Sequence, residues 1–210
     1  MSPHPAASGT PNRADELRRQ VAERNVAAIV DATLAELERD PKPSLARIAT
    51  AAGVSRPTLY AHFPTREDLV EATAKRTLTE VQQEIAAADI GEGPAGEALE
   101  RLISTGWRAL ARHLAIARLA LDLLPPERLR QAHQAALDPL RRLLARGQRA
   151  GEFRDDQPVE WMVTVLYALL HAAADDVISG RIQERSAAKL IHGSASGAFR
   201  PIQSGDRSGE

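Results

Sequence analysis

Four cations and no acid lie between Pro41 and Arg66: Lys42, Arg47, Arg56 and Arg66. Guanidinium and ammonium groups with no carboxylate nearby suit contact with phosphate. The chain as a whole gives no such hint, since 27 basic and 28 acidic residues leave a net charge of −1. A second concentration of polar groups is Thr164, Tyr167, His171 and Asp175, spaced by three and four. On a helix these share one stripe, either as the polar edge of a pocket or as a polar seam in a core or subunit interface. His113 and His133 also fall near apolar faces, but no ligand spacing joins them to His171, so no metal and no cofactor is expected. The absence of cysteine excludes disulfides, thiolate metal sites and cysteine nucleophiles. Nothing resembles a nucleophile with its base, so no catalytic residue is expected. An enzyme or carrier would have to rest on His171 and Asp175.

The elements that position these groups read as helices throughout. Ala, Leu, Arg and Glu dominate, and alternating β-branched stretches are absent. The spacing predicts a first helix over 14–39, with Leu17, Val21, Ile29 and Leu37 among its apolar positions, stopped by Asp40-Pro41-Lys42-Pro43. Ser44 is placed to cap a short helix over 45–52, which Gly53 ends. Ser55 caps a third helix, with Pro57 in its first turn, where a missing N–H costs nothing. Thr65-Arg66-Glu67-Asp68 is a capping box that opens a helix over 66–87. Further helices are expected over 95–112, continuing or kinking into 113–123, and over 127–149, 158–179 and 182–196. Two short helices joined by a turn holding Gly, inside a bundle, are a helix-turn-helix candidate.

The stretch Ile48-Ala49-Thr50-Ala51-Ala52-Gly53-Val54-Ser55-Arg56-Pro57-Thr58-Leu59-Tyr60-Ala61-His62-Phe63, followed by Arg66-Glu67-Asp68-Leu69, resembles the signature of the TetR family of transcriptional regulators. Ile29-Val30-Asp31-Ala32-Thr33-Leu34 is similar to that family's first-helix pattern, and the likeness covers about residues 24–72. The chain departs from it after helix 1, where Arg39-Asp40-Pro41-Lys42-Pro43 replaces an aromatic-and-Gly turn, and at Arg66, where Lys is common. The resemblance implies that Ser44, Thr58, Tyr60 and His62 contact backbone phosphates or sugars. It implies that Arg56 and Pro57 face base edges, and that Arg66 sits on a phosphate. Arginine can grip guanine O6 and N7 together, in keeping with the Arg56 role. Plainer alternatives exist for four of these residues and neighbours: Tyr60 as a core aromatic with its OH at the surface, His62 as a helix cap, Lys42 and Arg47 as solvated charges.

The fold expected is all-α, with an N-terminal three-helix helix-turn-helix DNA-binding domain over 13–75. A larger helical bundle for effector binding and dimerisation follows over 76–197, between tails at 1–12 and 198–210. The helix over 158–179 is apolar nearly all round, so its own core covers one side and a second subunit the other. The resemblance implies the same, a homodimer through 158–179 and 182–196 that reads a palindromic double-stranded DNA operator. Trp107, His133, Tyr167 and His171 are the candidate effector-pocket residues, with Trp107 reading also as core. Scarce aromatics predict an aliphatic lining and an apolar small molecule. A repressor released by that effector is expected; a DNA-binding protein with no small-molecule effector is the alternative. The N-terminal sequence lacks a secretory pattern and no run of 18 apolar residues occurs, so a cytoplasmic location without a membrane is expected.

Overall fold

The computed structural model describes residues 12–202. Among them the chain forms nine α-helices: α1 (Arg13–Leu37), α2 (Leu45–Ala51), α3 (Arg56–His62), α4 (Arg66–Ala86), α5 (Ala95–Ala111), α6 (Leu114–Leu123), α7 (Pro126–Arg149), α8 (Val159–Ile178) and α9 (Glu184–Phe199). Two units are distinct, one ending at Leu69 and the other starting at Val70. The division falls inside α4, which is one unbroken helix. The tail expected over 1–12 lies outside the described residues, apart from Asn12, whose side chain caps α1.

In the first unit α2 packs on both α1 and α3. Ile29, Ile48, Leu59 and Leu69 are almost completely buried there. The caps are those the sequence predicts. The Arg47 amide donates to Ser44 Oγ (3.3 Å) and the Thr58 amide to Ser55 Oγ (3.2 Å). The Asp68 amide donates to Thr65 Oγ1 (3.1 Å), while the Thr65 amide donates back to Asp68 Oδ2 (3.2 Å). Gly53 has φ +68°, the left-handed turn between α2 and α3 that a side chain would disfavour. One apolar expectation does not hold. Leu17 and Val21 are about half exposed, because the first turns of α1 meet no core.

In the second unit α5 and α8 each pack against both α7 and α9. Leu99, Leu144, Met162 and Leu166 have no accessible surface, and each such side chain contributes roughly 1.5–3 kcal/mol of burial. The expected kink after α5 is a true break, since Arg112 caps α5 and His113 precedes α6. Pro139 sits inside α7 without ending it. An interior proline costs about 3 kcal/mol, and the buried row Leu140, Leu143 and Leu144 behind it opposes that cost.

The last helix runs further than its pattern suggested. The tail set to begin at 198 starts inside α9, whose Phe199 is buried against Phe153 with ring centroids 6.2 Å apart. Arg154 holds this end, its amide donating to the Phe199 carbonyl (2.9 Å) and its guanidinium to that of Ala198 (3.3 Å). Phe153 in turn lies flush on Gly147, where an added Cβ would fall 2.1 Å from a ring carbon. Gly147→Ala is therefore expected to destabilise the protein by about 1–3 kcal/mol through overpacking. A thermal melt showing an unchanged or raised midpoint would contradict this packing.

Candidate nucleic-acid interface and a cavity in the second unit

The first unit presents α3 with its N-terminal side chains outward. Ser44, Arg56, Pro57 and Tyr60 are exposed, and Thr58 and His62 are half-buried. Leu59 and Phe63 point the other way and anchor the helix in the core. Tyr60 is 49 % exposed, which excludes the reading of a core aromatic. The Thr58 hydroxyl lies 2.7 Å from Ser55 Oγ, so cap and first turn are fixed together. No acid lies in that first turn, and its guanidinium, Arg56, stands exposed at the N-terminal end of the helix.

The cation cluster is less uniform in space than along the chain. Arg47 is neutralised from α1, with Nη2 2.7 Å from Glu36 Oε2 and Nη1 3.5 Å from Asp40 Oδ2. The Glu36 carboxylate is buried and also takes Arg39 (3.2 Å). Its contact with Arg47 is an ion pair lying off the hydrogen-bond direction. Arg47 is thus a brace between α2 and α1 and not an open phosphate ligand. Arg66 is half-buried and donates from Nη1 to the Pro43 carbonyl (2.8 Å). One of its donors thus ties the start of α4 to the loop ahead of α2. Lys42 and Arg56 remain exposed, with no ion pair among the described residues. Glu36 and Asp40 were the residues that local reading missed, because they sit outside the acid-free run.

The second unit holds a cavity lined by α4, α5, α6, α7 and α8. Trp107, His133, Tyr167 and His171 all line it. Trp107 is also core: it is buried and its indole N–H donates to the Glu184 carbonyl (3.3 Å). The remaining wall is mainly Leu, Ile, Val and Ala. Of the polar stripe on α8, Tyr167, His171 and Asp175 reach the cavity, while the exposed Thr164 bonds the Glu160 carbonyl. His133 arrives from α7. Its ring centroid lies 5.1 Å from that of Tyr167 and 5.7 Å from that of His171, and the latter two are 4.0 Å apart. His113 does not join them and faces Glu80 (3.3 Å). No group of side chains suited to a metal ion occurs among the described residues.

Burial pushes both imidazoles below their ordinary range. For His133 the bond to the Leu129 carbonyl opposes this and the neighbouring His171 adds to it. For His171 the bond to the Tyr167 carbonyl opposes it. Burial pushes the Tyr167 phenol up, so it keeps its proton. Both histidines ionise lower in the folded than in the unfolded chain. Below the unfolded value of about 6.5 the unfolded chain binds protons that the native state refuses. Their contribution to stability is present above that pH and is lost as pH falls toward the folded values. The drop in melting temperature from pH 7 to pH 5 should therefore be smaller in a His133→Gln/His171→Gln variant. An equal drop would show that the pair is not desolvated.

The rim carries charges that no local spacing pairs. Arg118 of α6 bonds Asp175 of α8, and Arg128 of α7 bonds Glu71 of α4 (3.2 Å), each across 57 residues of chain.

Comparison with known proteins places these features in context. The sequence profile of bacterial regulatory proteins of the tetR family matches residues 29–73. The HTH-type transcriptional regulator NfxB of Pseudomonas aeruginosa is 30% identical over 153 residues, covering 72% of this chain and 81% of that protein. The HTH-type transcriptional repressor LfrR of Mycolicibacterium smegmatis is 37% identical over 83 residues, 40% of this chain and 44% of LfrR. The fold is similar to that of LfrR crystallised with proflavine, at a TM-score of 0.59 and 24% identity over 86% of this chain and 99% of that one. It is also similar to FadR of Bacillus subtilis in complex with stearoyl-CoA, at a TM-score of 0.71 and 18% identity over 83% and 99%.

Proposed function

Because this chain belongs to the TetR family of DNA-binding transcription regulators, which are not enzymes, we propose that it is a homodimeric repressor released from a palindromic operator by an apolar small molecule. The observation that carries the DNA part is α3, which keeps Arg56, Pro57 and Tyr60 in solvent while Leu59 locks its other side. In the major groove such a helix reads bases with Arg56 and Pro57. Ser44, Thr58, Tyr60 and His62 fix its register on phosphates and sugars. The donors of Arg66 not spent on Pro43 serve the phosphate at the start of α4. DNA binding is the work of residues 13–75, and 76–197 serve effector binding and dimerisation. Acting on DNA puts the protein in the cytoplasm.

The exposed faces of α8 and α9 support the dimer. By length and composition α8 would pass for a membrane span, yet only 28% of its apolar window is buried in the subunit. Trp161, Ala168 and Ala172 lie exposed on it, and Leu190, Gly193 and Gly197 on α9. Small residues in a row let helices approach closely, and large apolar ones at the ends give the area. A second copy is the cover these faces suit, since Asp175, Asp176 and His171 on α8 are costly in lipid.

The cavity supports the effector part. Its aliphatic wall suits an apolar body, and relatives of this fold hold proflavine and stearoyl-CoA. Since α4 begins at Arg66 and later lines the cavity with Ala74, Leu78 and Val81, a ligand that favours one setting of α4 biases the DNA-bound state. It can do so only through different affinity for the two settings. Selecting DNA from a random pool with the purified protein tests the reading. The expected product is a palindrome with half-sites about one helical turn apart, bound with a steep salt dependence. Recovery of no preferred sequence would overturn it.

A further inference from the structure

We propose that the cavity is built for a neutral lipophilic hydroxyl compound, a phenol or naphthol, whose O–H is accepted by Nε2 of His133 or His171. This rests on the reading of the cavity as an effector site and names the chemistry of its ligand. Both imidazoles are fixed from behind. His133 Nδ1 lies 2.7 Å from the Leu129 carbonyl oxygen and His171 Nδ1 lies 2.8 Å from that of Tyr167. A carbonyl oxygen can only accept, so each Nδ1 carries the proton. In a neutral ring that leaves Nε2 with a lone pair. Neither Nε2 has a hydrogen-bond partner among the described residues. Two acceptors therefore stand in a mainly aliphatic chamber, on rings whose centroids are 5.7 Å apart, beside Tyr167. Burial, which disfavours the imidazolium form, keeps them as acceptors.

The charges at the cavity are already committed. Glu71 takes Lys75 (2.8 Å) and Arg128 (3.2 Å). Asp175 takes Arg118 and Arg181 (3.0 Å), and Arg118 also takes Asp122 (3.2 Å). Among the described residues lining the cavity, a cationic ligand finds no spare carboxylate and an anionic one no spare guanidinium. Either would have to break a pair, whereas a neutral donor only completes the open Nε2 positions. An unmade hydrogen bond to a buried acceptor is costly, and this is the source of the selectivity.

Four probes sharing one ring system decide the matter: 2-naphthol, 2-methoxynaphthalene, 2-naphthoate and 2-(aminomethyl)naphthalene. Calorimetric titration of the full chain near pH 7.5 should give 2-naphthol roughly 5–10-fold tighter binding than the methyl ether, in which a methyl group replaces the donor hydrogen. The anion and the cation should bind more weakly still. In His133→Phe and His171→Phe variants with unchanged melting, the gap between naphthol and ether should shrink in at least one. Equal affinity of naphthol and ether in the wild type, or preference for the acid or the amine, overturns the proposal and leaves the effector reading standing. Failure of all four to bind or to release operator DNA overturns the effector reading and this inference with it.

Discussion

Arg56→Ala is expected to erase preference at one base pair of each half-site while leaving the fold intact. The side chain is exposed at the first position of α3, and no ion pair or hydrogen bond holds it among the described residues. Its loss removes no internal contact, and the helix keeps its Ser55 cap. A guanidinium bidentate on guanine is worth about 1–3 kcal/mol of discrimination against the wrong base, and a two-fold operator counts it twice. Repeating the random-pool selection with the variant should give a palindrome relaxed at one symmetric position. The contrast is Lys42→Ala, which should weaken binding evenly across sequences and lower the salt slope by about two, one for each half-site. If Arg56→Ala merely weakens all sites alike, Arg56 serves a phosphate and another residue reads the bases.

Gly193→Trp is expected to have the larger effect of the two, because it uncouples the two half-sites. Gly193 is exposed on α9, and a Cβ built there meets nothing within 4 Å in its own subunit. The substitution also replaces a poor helix former. A single subunit should therefore fold as well as before. Between two copies, an indole where a hydrogen stood would wedge apart the face made by Leu190, Gly193 and Gly197. Sedimentation should then report monomers at concentrations where the wild type is expected to pair. Operator affinity should fall by roughly 10²–10⁴, the advantage that linking two binding modules gives. A variant that still sediments as a dimer would move the interface off this face of α9. Ala168→Glu on α8 is the companion test for the other helix.

Much of the architecture was legible because its signals are local. A cap needs a Ser or Thr and an amide three residues on, so Ser44, Ser55 and Thr65 announced the starts of α2, α3 and α4. Gly53 marked the turn because its positive φ suits few other residues. The end of α9 was missed for the same reason. Gly197 reads as a stop, and only Phe199 packing on Phe153, with Arg154 on the last carbonyls, extends the helix past it. Leu17 and Val21 show the converse, apolar residues at helical spacing with no core to meet.

By itself the sequence determined that the chain is helical, that α3 is a capped and presented helix, and that its family is one of DNA-binding regulators. These depend on residue types a few positions apart. Tertiary structure alone decided which charges are open and where the polar groups converge. Arg47 looked like a phosphate ligand until Glu36 and Asp40 were folded against it. His133 and His171 became neighbours only when α7 packed on α8. Electrostatic and hydrogen-bond partners are set by distance in space, and folding brings within a few ångströms groups that the chain keeps dozens of residues apart.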